Sequence, residues 1–242
     1  MRDYKVETKK RVAFIRRQLE GTGAKGIVFG NSGGKDSVLV GILCKMACDD
    51  TVGLIMPCTS KCNYGDDMND ALMISKLFRI EKRMVDLTKT ADEIKKALKN
   101  VTEITQAAEA NLAPRLRMTA LYAVAATEGR LVAGTGNKSE RHMGYFTKWG
   151  DGAFDFNPIA DLTVTEIYKF LEYLDVPQRI INKAPSAGLY DGQTDEGEMG
   201  ITYKVIDEYL SSGKCDPADM EKIASFHKIS AHKRILPVVY EE

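Results

Sequence analysis

Short continuous apolar runs alternate along this chain with longer stretches of helical spacing. Gly26-Ile27-Val28-Phe29, Val52-Gly53-Leu54-Ile55-Met56 (ended by Pro57) and Leu131-Val132-Ala133 are apolar at successive positions, as strands covered on both faces are. Glu81–Val85 reads as a further strand, which makes 131–133 the fourth. Helical spacing is found at 4–20, where Val12, Phe14, Ile15 and Leu19 are the apolar positions, and at 36–48, 67–78, 114–128, 163–174, 202–211 and 217–227. Thr90-Ala91-Asp92-Glu93 reads as a capped helix start, and Pro114 suits a first turn. Strands alternating with helices predict an α/β fold, a doubly wound parallel sheet in one domain over 1–242. Ligands in such sheets bind beyond the C-terminal strand ends, where the strand order reverses. Strand one then ends at a Gly-rich loop, strand two at Pro57 and strand four at Gly134-Thr135-Gly136-Asn137, three polar loops facing one crevice.

The Gly-rich loop is Gly30, Asn31, Ser32, Gly33, Gly34, Lys35, Asp36 and Ser37. A strand, a tight turn and a helix in succession gather unpaired backbone N–H groups at the positive end of the helix dipole, which makes an anion site. Gly33 and Gly34 let the backbone approach the anion, Ser32 and Ser37 add hydroxyls, and Asp36 adds a carboxylate suited to Mg²⁺ beside phosphate oxygens. The pattern is not GxxxxGK[ST], because the Lys precedes an Asp and the spacing differs.

Composition narrows the partners. Lys+Arg and Asp+Glu are 34 each, so no bulk basic field exists to hold a nucleic acid. No apolar run is long enough to span a membrane, and the charged N-terminal segment is not a secretory leader. The expected setting is therefore the cytoplasm. Its five cysteines are an odd count, and Cys44/Cys48 and Cys58/Cys62 are spaced CxxxC rather than as tight zinc pairs; with Cys215 they read as reduced thiols.

Residues 134–162, GTGNKSERHMGYFTKWGDGAFDFNPIADL, lack periodicity yet hold the sole tryptophan, which argues for a functional loop rather than disorder. The loop at 30–37 resembles the SGGxDS loop of the ATP pyrophosphatases. Together with NLAPRLRMTALY (111–122), KAPSAGLYDGQTDEGEMGITYKVID (183–207) and HKR (232–234), these blocks resemble, in order and over most of the chain, the ammonia-dependent NAD synthetases.

That resemblance implies an adenine nucleotide alpha hydrolase-like fold. It also implies ATP-dependent amidation of deamido-NAD by ammonia through an acyl-adenylate, giving NAD, AMP and pyrophosphate. It assigns residues 30–37, Thr135 and Ser186 to ATP, Asp36 and Glu140 to Mg²⁺, and Arg115, Lys148, Asp155, His232 and Lys233 to deamido-NAD. Asp151 falls near the ammonia site and is the candidate to bind ammonium and position the amine. A homodimer is implied, and with no segment of the sequence read as a glutaminase the nitrogen is expected as free or partner-supplied ammonia. Each residue also has a plainer reading: Arg115 and Arg117 as a solvated helix face, Glu140, Asp151 and Asp155 as turn caps, His232 as a surface residue near the C-terminus, and Gln193, Asp195, Glu196 and Glu198 as a hydrated acidic loop.

Two departures stand out. Val164 takes a position where the family usually carries a phosphate-contacting Lys, whereas Lys35 is charged where the family usually is not. Lys35 is therefore expected to restore part of the missing charge. Pro114 leaves the register of Arg115 open. Alternatives to the synthetase are an ATP pyrophosphatase activating a tRNA base and a nucleotide sensor that has lost catalysis, the latter resting on Val164.

Overall fold

A computed structural model describes residues 2–58, 65–183 and 194–240. In chain order the elements are α1 (Tyr4–Thr22), β1 (Gly26–Gly30), α2 (Lys35–Ala47), β2 (Thr51–Ile55), α3 (Asp66–Leu77) and β3 (Glu81–Met84). There follow α4 (Thr88–Leu98), α5 (Gln106–Ala110), α6 (Leu112–Glu128), β4 (Arg130–Ala133), α7 (Lys138–Met143) and α8 (Val164–Tyr173). The rest are α9 (Gln178–Ile181), α10 (Asp195–Met199), α11 (Tyr203–Ser212), α12 (Pro217–Ile229) and a 3₁₀ turn at Ala231–Lys233.

The four strands are parallel in the order β3-β2-β1-β4, with Val28 beside both Val52 and Val132. The chain winds outward from β1 to β3, then returns to the other side of β1 as β4. The order thus reverses between β1 and β4, which opens a crevice at their C-terminal ends. Alternation along β1 builds both layers. Ile27 and Phe29 join a core with residues of α1, α2 and α8, while Val28 joins the opposite core with Ala113 and Ala125 of α6 and Ala91 of α4. A third cluster holds Met143, Val164, Met199, Tyr203, Ile206 and Ile223, drawn from α7, α8 and α10 to α12. It buttresses one wall of the crevice.

The expected strands and long helices form, with bounds shifted by a few residues. Three local expectations change. The segment 134–158 is not wholly irregular: it contains α7, closed by a capping box between Asn137 and Glu140, and Ala133 bridges Phe156 in parallel. The helix expected to start at Thr90 starts two residues earlier, at Thr88, whose N–H donates to the Asp86 carboxylate at 2.9 Å, while the N-cap position, Leu87, offers no side-chain cap. β3 is an exposed edge strand, and its Glu81, Lys82 and Arg83 guard that edge with charge. Cys44, Cys48, Cys58 and Cys215 are free thiols, whereas Cys62 lies outside the described residues. Cys58 is fully buried in the α6-side core.

Candidate active site

β1 delivers the chain to the switch point, and the turn at 31–34 hands it to α2. The α2 N-cap is Gly34 in extended conformation with no side-chain cap, so the first N–H groups of this 13-residue helix face the crevice. Gly33 has φ +74°, and a Cβ there would lie 2.4 Å from the Asp67 carbonyl oxygen of α3. The turn is thus seated on α3 as well as curled toward the ligand. Asn31 completes that seat: its Nδ2 donates to the Ala71 carbonyl and to Ser75 Oγ, and its Oδ1 accepts the Gly33 N–H at 3.3 Å. Its amide holds the shape of the loop. Ser32 and Ser37 bring their hydroxyl oxygens to 3.1 Å of each other, with Ser37 donating to the Gly34 carbonyl.

Lys35 is 6% exposed, and its Nζ donates to Asp36 Oδ2 at 2.8 Å while lying 5.7 Å from the centre of the Tyr203 ring. Burial works against its ammonium, but Asp36 and then Glu140 outweigh it and raise its pKa. The opposite holds for Glu140, whose pKa is pushed up to about 8, first by burial and then by the Asp36 charge. Asn137 ties the two carboxylates together. Its side-chain amide donates to Asp36 Oδ1 at 3.1 Å, its backbone N–H donates to Glu140 Oε2 at 3.1 Å, and its Oδ1 accepts the Glu140 N–H. Among the described residues no group of three or more His, Cys, Asp or Glu is arranged to hold a metal by itself. Two hard carboxylates facing a phosphate loop nonetheless fit Mg²⁺, which takes one or two carboxylates and completes its shell with water and phosphate oxygens.

Across the crevice, Tyr145–Ala153 folds into a tight turn around Thr147. Asp151 Oδ1 accepts the Thr147 N–H at 2.9 Å, and enclosure in the crevice raises its pKa against the lowering influence of Lys233 and Arg117. Lys233 reaches back from the 3₁₀ turn and donates to the carbonyls of Gly144 and Phe146, both at 2.8 Å. Its pKa is lowered by burial. The crevice has a volume of about 980 Å³, and Thr135, Glu140, Asp151 and Lys233 line it with the phosphate loop.

The residues expected to hold the second nucleotide divide. Lys233 lines the crevice, whereas Arg115, Lys148 and His232 join on its outer rim: Arg115 Nη2 lies 3.5 Å from the Lys148 carbonyl, and Lys148 Nζ donates to the His232 carbonyl at 2.8 Å. Asp155 stands apart, accepting the Val132 N–H at 2.7 Å and the Tyr122 hydroxyl at 3.2 Å. Ser186 and Gln193 lie outside the described residues.

Sequence reasoning gave Asn137, Arg117 and Asp195 no role in the site. Asn137 carried a signal, the N-x-x-E capping box. Arg117 lines the crevice with its Nε on the Met56 carbonyl at 3.0 Å, and burial lowers its pKa. Residues two apart on a helix point to opposite sides, so only one of Arg115 and Arg117 faces the crevice. Asp195, read as hydrated, is buried and accepts the Tyr203 hydroxyl at 3.0 Å. No local pattern announces that pairing.

An uncapped helix N-terminus and a carboxylate pair at the switch point of a parallel sheet make this an adenine nucleotide alpha hydrolase-like protein, the class to which ATP pyrophosphatases belong. Within that class the chain belongs to the NAD synthase family, whose model matches residues 7–237. It is 44% identical over 240 residues to the NH(3)-dependent NAD(+) synthetase of Carboxydothermus hydrogenoformans, covering 98% of each chain. Among solved structures it is similar to an NMN synthetase from Francisella tularensis (36% identity, TM-score 0.94, all of both chains). It is also similar to the NH3-dependent NAD synthetase of Campylobacter jejuni (31% identity, TM-score 0.81, all of both chains). The tRNA-activating and sensor alternatives find no support in these relatives.

Proposed function

We propose that this protein is a ligase that joins ammonia to the nicotinate carboxylate of deamido-NAD, converting ATP to AMP and pyrophosphate. The observation that carries the reading is the meeting, in one crevice, of the uncapped N-terminus of α2, the Asp36–Glu140 pair and the Asp151–Lys233 wall. In the first step a carboxylate oxygen attacks the α-phosphorus and pyrophosphate leaves. The nucleophile is already ionised at neutral pH, so the step needs in-line positioning and charge neutralisation rather than a base. The α2 amides, Lys35 and the Ser32 and Ser37 hydroxyls supply donors for the phosphates. Mg²⁺, held by Asp36 and Glu140, would neutralise charge on the phosphate oxygens. In the second step ammonium gives one proton to water, the ammonia nitrogen attacks the acyl carbon, the bond from that carbon to the AMP phosphate oxygen breaks and AMP leaves, and the nitrogen gives a second proton to water. Asp151, held by the Thr147 N–H, binds ammonium and orients the amine.

The same reading includes a homodimer and a cytoplasmic setting. No helix among the described residues is long and apolar enough to cross a membrane. The test is NAD and pyrophosphate formation from deamido-NAD, MgATP and ammonium, each omitted in turn. Equimolar products support the reading, and ATP binding without either product overturns it. A second acceptor, nicotinate mononucleotide, is suggested by the similarity to the NMN synthetase. It belongs in the same assay.

A further inference from the structure

Trp149 sits two residues before Asp151 and breaks a local rule. Its φ is +61°, a conformation that Gly or Asn adopts readily and a bulky side chain does not. The turn that imposes it is held from several sides. The N–H groups of Gly150 and Gly152 both donate to the Thr147 carbonyl, at 3.0 and 3.1 Å, and Asp151 clasps the Thr147 N–H. A Cβ on Gly150 would lie 2.9 Å from Pro114 Cβ, so the turn is pressed onto α6. The indole is nevertheless 50% exposed.

Its surroundings are cationic. Lys148 Nζ lies 5.4 Å from the indole ring while bonded to the His232 carbonyl, and Arg115 approaches the Lys148 carbonyl. Trp149, Arg115 and Lys148 are not among the crevice-lining residues, whereas Asp151 is. The chain span between Trp149 and Asp151 is about 7 Å at most. A ligand reacting at Asp151 would therefore carry whatever lies beyond its first ribose and phosphate out over this rim, an anion meeting two cations and then a flat apolar face.

We propose that Trp149 is a stacking platform for the purine half of the acceptor, and thereby a residue that sets preference for a dinucleotide over a mononucleotide. The inference rests on the amidation reading above. Stacking of a base on an aromatic side chain is strong enough to change affinity about tenfold.

Trp149 is the only tryptophan in the chain, so its fluorescence reports on this site alone. Intact protein is titrated with deamido-NAD and, separately, with nicotinate mononucleotide. Deamido-NAD is expected to quench the indole, and the mononucleotide, which has no purine, to quench it by less than a third as much. Trp149→Ala is expected to lower the ratio of kcat/KM for the dinucleotide over the mononucleotide about tenfold, through KM rather than kcat, and Trp149→Phe to recover most of it. Equal quenching by both ligands, or an unchanged ratio in Trp149→Ala, overturns the proposal. So does a change of mass by light scattering in Trp149→Ala with the ratio unchanged, since the indole would then cover a second copy of the chain. Should wild-type protein form neither amide, the amidation reading fails, while the titration still reports whether the purine reaches the indole.

Discussion

Asp36, Glu140 and Lys35 share a site in which burial and the Asp36 charge act on both of the other groups. Removing the ammonium in Lys35→Ile leaves the Asp36 carboxylate without its ion-pair partner, so metal-free stability is expected to fall by about 3 kcal/mol, read by urea unfolding in chelator. The ATP KM should rise or kcat should fall. Val164 is 2% exposed and shares an apolar cluster with Tyr203, the ring over which Lys35 lies. Adding Val164→Lys to Lys35→Ile returns an ammonium to the same neighbourhood and should recover ATP use. A Lys35→Ile enzyme with wild-type ATP kinetics rejects the compensation. Asp151 is tested through the second substrate: Asp151→Asn should raise the ammonium concentration needed for half-maximal rate about tenfold or more, while pyrophosphate release on adenylate formation persists. An unchanged ammonium dependence rejects its role.

At the scale of elements, α7 positions Glu140 and is itself held by α11 and α12. His142 of α7 stacks on His227 of α12 with ring centres 4.2 Å apart, its ring centre is 6.0 Å from that of Tyr209 of α11, and His227 Nδ1 lies 2.9 Å from the His142 carbonyl oxygen. The cations Arg234 and Lys138 face the same ring. Burial, then His227, Arg234 and Lys138, lower the His142 pKa from 6.5 to about 4. The unfolded chain therefore binds this proton more readily, and the contact's contribution is complete above about pH 6.5 and is lost as pH falls toward 4. Thermal unfolding between pH 7 and 4.5 should show a steeper loss for wild type than for His142→Phe, which keeps a ring on His227 without the titrating group. Parallel curves would reject the coupling. α8 depends on its cap: Thr163 and Glu166 form a capping box, and Thr163→Ala should cost about 1 kcal/mol of stability.

Across the whole molecule, the stretch after the 3₁₀ turn leaves Leu236 84%, Val238 89% and Tyr240 88% exposed, directly beyond His232 and Lys233. A run of exposed apolar side chains is a candidate interaction surface. In the homodimer proposed above they would be covered, so a chain lacking 235–240 is expected to shift toward monomer in light scattering and to bind deamido-NAD more weakly. Full dimerisation without the tail would place the interface elsewhere.

Much of this protein is determined along the chain. Ile27, Val28 and Phe29 are apolar in succession because β1 is covered on both faces, which announces the parallel sheet. A strand end, a Gly-rich turn and a helix start must put backbone amides around one point, so the phosphate loop is legible wherever the chain folds. Local geometry suffices for such features, because neighbours in sequence are neighbours in space. The rest depended on the tertiary structure, because it joins residues far apart. Only packing puts Asn137 between Asp36 and Glu140, buries Asp195 against Tyr203, and sets Arg117 in the crevice while Arg115 stays on the rim. It also decides which of the second nucleotide's expected residues share a wall: Lys233 is drawn inside by the carbonyls of Gly144 and Phe146, and Asp155 is kept at β4 by the Val132 amide. Residue types propose the chemistry, and the reversal of strand order beside β1 decides which of them meet.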